Sequence, residues 1–514
     1  MFGFDPYVLL LLIVLPLVGA GAILVTPGSN VRAIRMEAAV AATVTMLLSV
    51  YVFLAYDQSA GGMQLERTWQ WLSMPGPWPL GDHAITLHLA IDGIAAPMVL
   101  LTGIVLFTGV LVSWRVGDSE EDSKPPKAYF VLYLLLLSGV FGVFVTLDMF
   151  FFFFFYELAV LPMYLLIGVW GSSSTFPTFS RTKEYGAMKL MIYLVAGSVL
   201  IWVAMLAIFV EGGLGTFDLV ALEQVTFSDN FQKIFFPLLM VGFGVLAGLW
   251  PFHTWSPDGH VAAPTAVSMV HAGVLMKLGA FGIIRIGMML MPEGAQTWMP
   301  VLIGLGTVNV LYGAWSAIGQ NDLKYVIGYS SVSHMGYVLM GIATLNPLGL
   351  SGAVLQMFSH GVMTALFFAV VGAVYDRTHT RDIYTLDGLA KRMGFTATMF
   401  AIAGLASLGL PGLSGFVAEL LVFLGLFQTY PLLGVLGIIG AAITAVYILR
   451  LLARVFFGPL GERWEDQTDA SGLERVSTLV LAGFILLVGL FPFPFIRVIE
   501  SGVFEVLARF GDVG

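Results

Sequence analysis

The stretch LDMFFFFFFYELAVLP, residues 147–162, joins six consecutive phenylalanines to a tyrosine and then to a carboxylate, Glu157. The run from Met149 to Trp170 is otherwise apolar, and no Lys or Arg lies within four residues of Glu157. At about 1.5 Å of rise per helical residue, Glu157 lies about 12 Å into this run, toward the middle of a hydrocarbon core of about 30 Å. An ionisable side chain at that depth is costly and usually marks an ion path. The stretch therefore predicts a membrane-spanning helix that carries a functional carboxylate.

The composition of the whole chain agrees with a polytopic membrane protein. The chain has 514 residues, of which 58% are hydrophobic and 11% charged, and its mean hydropathy is +0.91. A soluble domain carries about 25% charged residues. The absence of cysteine excludes disulfides, thiolate zinc sites and cysteine-ligated iron–sulfur clusters from this chain. The net charge of −9 argues against nucleic acid as a partner, and we expect no cofactor or metal here.

Fourteen apolar runs are long enough to span a bilayer, and they are numbered here as spans 1–14. The N-terminal run lacks a basic segment before it, so it is predicted to be a first span and not a cleaved signal peptide. Most of the Lys and Arg residues fall on one face if the spans alternate in direction. We call that face the basic side and expect it to be cytoplasmic, with both termini on the other side. The runs are 7–25, 35–56, 88–114, 128–147, 149–171, 186–210, 234–253, 262–287, 298–318, 325–345, 349–374, 394–427, 432–457 and 474–494.

Two spans are interrupted by proline and glycine. Span 7 breaks at GLWPFHTWSPDG (248–259) and span 12 at LASLGLPGLSGF (405–416). If spans 4–8 form one unit and spans 9–13 the next, each break falls on the fourth member, as in an inverted-repeat transporter. The predicted segments are a three-helix N-terminal part (1–127), a first inverted repeat (128–287), a second inverted repeat (298–457) and a C-terminal part with span 14 (458–514).

Further ionisable side chains lie within the spans. Carboxylate, amine and imidazole groups gain or lose protons as desolvation and neighbouring charges move their pKa values, so a row of them would form a lateral proton path. A buried histidine could instead be a core residue bonded to a carbonyl group, and a lysine near a span end could reach the membrane surface. No histidine pair has the HExxH spacing of a zinc site. The candidates are Glu157 in span 5, Lys189 in span 6, His253 in the break of span 7, His271 and Lys277 in span 8, His334 in span 10, His360 in span 11 and Glu419 in span 12.

At these residues the sequence resembles the antiporter-like membrane subunits of respiratory complex I, and among them the M-subunit branch. The resemblance covers nearly the whole chain and is strongest from about 145 to 425. It implies an all-α polytopic fold with fourteen transmembrane helices, two inverted five-helix repeats and two discontinuous helices. The motifs that carry it are FFFFYELAVLPMYLLIGVWG, PFHTWSPDGHVAAPTAVSMVHAGVLMKLGAFGIIR, DLKYVIGYSSVSHMGYVLMGI, LQMFSHGVMTALFF and LPGLSGFVAE.

The resemblance also implies a function. The chain would be a proton-translocating subunit of an NADH:quinone oxidoreductase in a bacterial inner membrane. Flavin, iron–sulfur clusters and quinone would belong to partner subunits, and neighbouring antiporter-like subunits and a lateral amphipathic helix would contact this chain. Protons would enter from the cytoplasmic side and leave past the terminal acid of the twelfth helix. The implied roles are the fifth-helix glutamate for Glu157, the sixth-helix lysine for Lys189, the central lysine for Lys277, the connecting axis for His334 and His360, and the terminal acid for Glu419.

The sequence departs from the family at one position. The family normally has a lysine in the seventh helix, seven residues before the histidine of the break, and that lysine pairs with the fifth-helix glutamate. Here the position is Leu246, and span 7 contains no lysine between Ile234 and Trp250. His271 and Lys189 are the two possible substitutes, and the sequence does not decide between them.

Three other functional hypotheses remain open at the level of sequence. The chain could be a subunit of a multi-subunit sodium/proton antiporter, which shares this ancestry. It could be a membrane subunit of a hydrogenase or of a carbon-dioxide-hydrating complex. It could also be a scaffold that no longer pumps, because the seventh-helix lysine is absent.

Overall fold

The computed structural model of the protein describes residues 7–74, 83–118, 124–175 and 180–511. Within these ranges, thirteen helices are long and apolar enough to cross a membrane, and two shorter apolar helices, Gly394–Ser407 and Ser414–Thr429, make up span 12. The prediction of a helical protein that crosses the membrane many times is confirmed. Spans 3, 8, 10 and 11 are almost wholly buried, whereas spans 2, 6, 13 and 14 expose large apolar faces. Four of the eight candidate residues lie on these buried spans, namely His271, Lys277, His334 and His360.

The helices follow the predicted runs closely. Span 7 consists of Asp229–Ala247 and, after the break, Trp255–Ala262, so the predicted interruption is observed. Spans 1–6 are Val8–Val25, Val31–Ala55, Ala95–Val112, Pro126–Val145, Met149–Trp170 and Lys183–Gly212. Spans 8–11 are Thr265–Met288, Pro292–Ile318, Leu323–Ala343 and Pro347–Thr378, and spans 13 and 14 are Pro431–Phe456 and Gly472–Leu490. The shorter elements are the strand pair Ser174–Thr175 and Ser180–Arg181, the helices Leu219–Leu222 and Phe493–Ala508, and the 3-10 turns Ser113–Arg115, Leu389–Lys391 and Glu462–Trp464.

A β-hairpin precedes span 3, and it corrects the predicted start of that span at residue 88. Strands β1 (Gln64–Met74) and β2 (His83–Ile91) pair antiparallel, and the helix begins at Ala95. The apolar residues at the end of β2 continue directly into the helix, so hydropathy alone merged the two elements. Asp92 ends the strand and begins the helix, because its carboxylate accepts the backbone N–H groups of Ile94 and Ala95.

A final helix, Phe493–Ala508, follows span 14 and was not predicted. Its buried face packs against the start of span 3, where Gly93 approaches it closely. A Cβ atom on Gly93 would lie 2.0 Å from the carbonyl oxygen of Val498, a distance that no side chain tolerates. Glycine at this position therefore allows the final helix to pack against the start of span 3.

Spans 5 and 10 begin in the same way. Asp148 accepts hydrogen bonds from the backbone N–H groups two and three residues ahead, and Asp322 does the same at the start of span 10. Each aspartate also forms an antiparallel bridge with an aspartate in the loop that follows the next span, Asp218 in one case and Asp382 in the other. Such matched local structure is what two repeated five-span units would produce, and the division into four segments stays a prediction.

Candidate proton-transfer site

A wholly buried amine lies at the centre of the molecule. Lys277 in span 8 is 0% exposed, and its Nζ lies 2.7 Å from Nδ1 of His360 in span 11. Nζ also donates to the carbonyl oxygen of Ala272. The turn before Lys277, His271–Leu275, is π-helical, a departure from α-helix that is frequent at functional sites. Two of the site residues predicted from the sequence, Lys277 and His360, are therefore in direct contact.

A row of polar side chains continues from His360 to span 12. The ring centroids of His360 and His334 lie 5.3 Å apart. Nδ1 of His334 lies 3.3 Å from Oε1 of Glu419, and its Nε2 lies 2.9 Å from Oγ of Ser407. The amide nitrogen of Gln356 is 3.2 Å from the same Nδ1. Four of the predicted residues thus form one buried row across spans 8, 11, 10 and 12, although Gln356 and Ser407 had not been singled out.

The break in span 12 makes room for the last carboxylate of this row. The helix stops at Ser407 and resumes at Ser414. Gly409, within the break, has a φ of +72° that favours glycine. A Cβ atom there would lie 3.0 Å from Oε2 of Glu419. The unwound segment therefore brings its backbone against the carboxylate, as expected where irregular backbone lies at membrane depth.

A second imidazole pair lies where the broken span 7 meets span 8. The ring centroids of His260 and His271 are 3.9 Å apart, and the His271 ring stacks on Trp255 at 5.1 Å. Nε2 of His260 lies 3.0 Å from Oγ of Ser256. The other nitrogen of His260 and both nitrogens of His271 have no hydrogen-bond partner among the described residues. His260 was not a predicted site residue, although its position beside the break could have indicated it.

Lys189 is held by a carboxylate that sequence reasoning also missed. Its Nζ lies 2.8 Å from Oδ2 of Asp258, which is 4% exposed. Asp258 also accepts from Arg181 and, at 2.9 Å, from the hydroxyl of Tyr325. Lys189 therefore ends in an ion-pair cluster around a buried carboxylate, with its own side chain 18% exposed. Asp258 had been counted only as part of the break, although a carboxylate directly after Pro257 was the available signal.

Glu157 and His253 belong neither to the row, nor to the imidazole pair, nor to the ion-pair cluster around Asp258. Glu157 is half-buried beside Ser198 of span 6, and within the described ranges it forms no ion pair. Neither of its possible substitute partners, Lys189 and His271, forms a hydrogen bond or ion pair with it in the described part of the chain. His253 is buried with its ring 4.9 Å from that of Tyr312.

Comparison with known proteins gives one consistent answer. The family model described as NADH:quinone oxidoreductase/Mrp antiporter, transmembrane, matches residues 146–444. The NAD(P)H-quinone oxidoreductase chain 4 2 of Thermosynechococcus vestitus is 38% identical, over 94% of this chain and 89% of its own length. The NAD(P)H-quinone oxidoreductase chain 4 of Gloeobacter violaceus is 36% identical, over 94% and 89% respectively.

Two solved structures share the fold. A chain of respiratory complex I from Thermus thermophilus with bound NADH matches with a TM-score of 0.86 and 26% identity, covering 98% of this chain and all of that one. A chain of the Mrp complex from Dietzia sp. has a TM-score of 0.83 at 19% identity, over 99% of this chain and 100% of its own, a likeness of fold alone. The chain thus belongs to the NADH:quinone oxidoreductase/Mrp antiporter family, as an antiporter-like membrane subunit of a complex I-type NAD(P)H-quinone oxidoreductase.

Proposed function

We propose that this chain translocates protons across the membrane, driven by electron transfer in other subunits of its complex. The observation that carries the proposal is the buried row from Lys277 through His360 and His334 to Glu419. Each member can bind or release a proton, and each lies next to another member. Such a row has no structural need to be ionisable, because apolar side chains of similar size would fill the same space at lower cost.

Shifts in proton affinity along such a row can supply the free energy needed to move a proton across the membrane. Moving one charge across 100 mV costs about 2.3 kcal/mol. One pKa unit corresponds to about 1.36 kcal/mol, so proton affinities along the row must change by about two units in each cycle. Bringing a charge next to a desolvated group, or removing it, produces changes of that size. A proton that leaves Lys277 for His360 therefore alters the proton affinity of every following group.

Glu157 is proposed to be the electrostatic switch toward the neighbouring subunit. It lies on span 5, away from the row, and the structure offers it a neutral neighbour, Ser198. Since Leu246 occupies the place of the family lysine and is buried, the charge that acts on Glu157 would arrive from an adjacent antiporter-like subunit. Substitution of Glu157 would then uncouple this chain from its neighbour without disturbing the row itself.

The surroundings of the chain follow from the same proposal. The chain lies in a bacterial membrane, with the basic side facing the cytoplasm and both termini on the opposite side. Other membrane subunits and a lateral amphipathic helix pack against its exposed apolar faces. Flavin, iron–sulfur clusters and quinone would belong to partner subunits, and the lack of cysteine in this chain supports this for the iron–sulfur clusters.

The proposal is tested in two steps. First, the tagged chain is purified in mild detergent and its partners are identified by mass spectrometry. Flavin and iron–sulfur subunits are expected, whereas recovery of small membrane subunits alone would favour the cation-antiporter hypothesis. Second, Lys277→Gln is introduced and proton uptake by inverted vesicles is measured during NADH oxidation. Unchanged proton uptake per electron in assembled Lys277→Gln complex would refute translocation through this row.

A further inference from the structure

A second buried lysine lies between the basic side and the row, and the proposed function does not yet use it. Lys324 is the second residue of span 10 and is 4% exposed. Its Nζ lies 2.7 Å from the carbonyl oxygen of Ala263 and 3.4 Å from Oγ of Ser268. Both partners are neutral, and among the described residues no hydrogen-bonded carboxylate fixes the amine in its charged form. A buried lysine of this kind is costly to keep unless its proton is needed.

The charged groups around Lys324 come from the ends of spans 10 and 11. Asp322, Asp376 and Arg381 all act on its charge, two attracting and one repelling. Arg381 is itself engaged by Asp322, with Nε 3.1 Å from Oδ2. Asp376 is exposed near the end of span 11. An exposed carboxylate therefore lies within electrostatic range of a buried amine, an arrangement that can collect protons at a membrane surface.

Lys324 is connected to the imidazole pair through Ser268. Ser268, which contacts Nζ of Lys324, donates at 2.8 Å to the carbonyl oxygen of His260. The His260 ring lies within electrostatic range of Lys324, His271 and Lys277. The rings of His260 and His271 are 3.9 Å apart, and both residues are 0% exposed. The charges of both lysines therefore act on the imidazole pair.

The unpaired nitrogens of His260 and His271 indicate a proton path and not a rigid apolar core. Three ring nitrogens, Nδ1 of His260 and both of His271, have no hydrogen-bond partner among the described residues. Buried polar groups in proteins nearly always have a partner. Water molecules between the rings and the two lysines would satisfy these nitrogens and would also carry protons.

We propose that Lys324 is the entry residue of the proton path on the basic side. A proton taken up near the end of span 11 binds Lys324, passes through water to His260 and His271, and reaches Lys277. Each step moves one proton from a donor nitrogen to the next acceptor, so no other reactant is consumed. The inference rests on the proposed function, since it places the entrance of the same path.

Two substitutions separate proton carriage from structural support. Lys324→Arg retains the positive charge and the hydrogen-bond donors for Ala263, but arginine does not release its proton in proteins. Lys324→Gln retains a donor but carries no exchangeable charge. A lysine that only ties span 10 to the broken helix would be replaced adequately by either residue. Lys391→Gln is the matched control, because Lys391 is an exposed lysine on the same side.

The experiment compares Lys324→Arg, Lys324→Gln, Lys324→His, Lys391→Gln and Lys277→Gln in the intact complex. Assembly is checked by native gel and by NADH oxidation with an artificial electron acceptor. We expect the Arg and Gln variants to assemble and to lose proton uptake by about 100-fold or more, which is the usual contribution of a proton-transfer group. Lys324→His is expected to recover part of the rate with a pH profile moved to lower pH.

The outcomes distinguish the two proposals. If Lys277→Gln lowers proton uptake while assembled Lys324→Arg and Lys324→Gln retain it, the entry role is wrong and the proposed function stands. If Lys277→Gln also retains full proton uptake, the proposed function fails and the entry role falls with it. If Lys324→Arg pumps normally but Lys324→Gln does not assemble, Lys324 is a structural tie and the inference is overturned.

Discussion

His334 and Glu419 face each other across spans 10 and 12, with Nδ1 of the imidazole 3.3 Å from Oε1 of the carboxylate. The same Nδ1 lies 3.2 Å from the amide nitrogen of Gln356. A neutral imidazole can accept a hydrogen bond from the amide, and a protonated one can donate to the carboxylate. The site therefore provides a partner for each protonation state of His334, which is what a relay residue requires.

Glu419→Gln is expected to lower proton uptake by about 100-fold or more, because an amide cannot take part in proton transfer and the protonated imidazole loses its charged partner. Proton uptake and quinone reduction are measured together in inverted vesicles, so that loss of pumping is distinguished from loss of the complex. Glu465→Gln serves as the control, because Glu465 is an exposed carboxylate. Equal effects of the two substitutions would contradict a role for Glu419 in the row.

Asp258→Asn is expected to destabilise the protein. The substitution leaves Arg181 and Lys189, whose side chains are 36% and 18% exposed, beside a neutral amide. Because water reaches both cations, the loss should stay below the loss of about 3–5 kcal/mol for a fully buried broken pair. Lys189→Met should cost less, because Asp258 keeps Arg181 and Tyr325 as partners. The midpoint of thermal unfolding in detergent, measured for both variants, shows which substitution destabilises the protein more. If Lys189→Met proves the more damaging, Lys189 has a role beyond this cluster.

The buried ion pair between Asp92 and Arg285 links the hairpin to span 8, with 2.6 Å between Oδ1 and the guanidinium nitrogen. Arg285→Met alone should destabilise the protein by about 3–5 kcal/mol, because it leaves a buried carboxylate without its cation. Asp92→Asn combined with Arg285→Met should recover much of that loss. A double-mutant cycle on thermal stability measures the coupling between the two residues. Additive effects would show that the pair contributes nothing as a pair.

The β1–β2 hairpin is expected to be more stable at low pH. His88 on β2 lies 2.5 Å from Asp218 and 2.8 Å from Glu66. Burial disfavours the charged imidazole, but the hydrogen bonds and charges of Asp218 and Glu66 outweigh burial and raise the pKa of His88. A raised pKa in the folded state gives stabilisation that is fully present below the unfolded pKa of about 6.5 and is lost as pH rises through the folded pKa.

Hydrogen exchange of the β1–β2 backbone, corrected for the intrinsic effect of pH, measures this dependence. Protection should fall as pH rises above the folded pKa in the natural protein and should be independent of pH in His88→Gln. His379→Asn is the control, because His379 is exposed and lies in the left-handed region that asparagine tolerates. The same pH dependence in His88→Gln would rule out His88 as its source.

The sequence predicted the spans and the central row for a clear physical reason. Runs of about 20 apolar residues have few alternatives to a spanning helix, and charges such as Lys277 within them are too costly to be incidental. Hydropathy could not separate β2 from span 3, because an apolar strand that leads into an apolar helix gives one continuous signal. The final helix was missed because an amphipathic segment resembles a polar tail on the same scale.

The partners of the site residues were the least predictable part. Lys189 and Asp258 are 69 residues apart, and nothing in their local sequences indicates that they meet. Whether Lys189 or His271 replaces the lysine absent at Leu246 was left open, and neither forms a hydrogen bond or ion pair with Glu157 within the described residues. Such pairings depend on how helices pack, which a single sequence does not encode in any local pattern.

The contact between Lys277 and His360 has a consequence for how the chain could be divided. The lysine belongs to residues 128–287 and the histidine to residues 298–457, so neither half of the chain holds both partners. A polypeptide that consisted of one half would lack one member of the pair, and a second copy of the same half would not supply it. Co-expression of the two different halves as separate polypeptides would show whether helix packing alone brings the lysine and the histidine together.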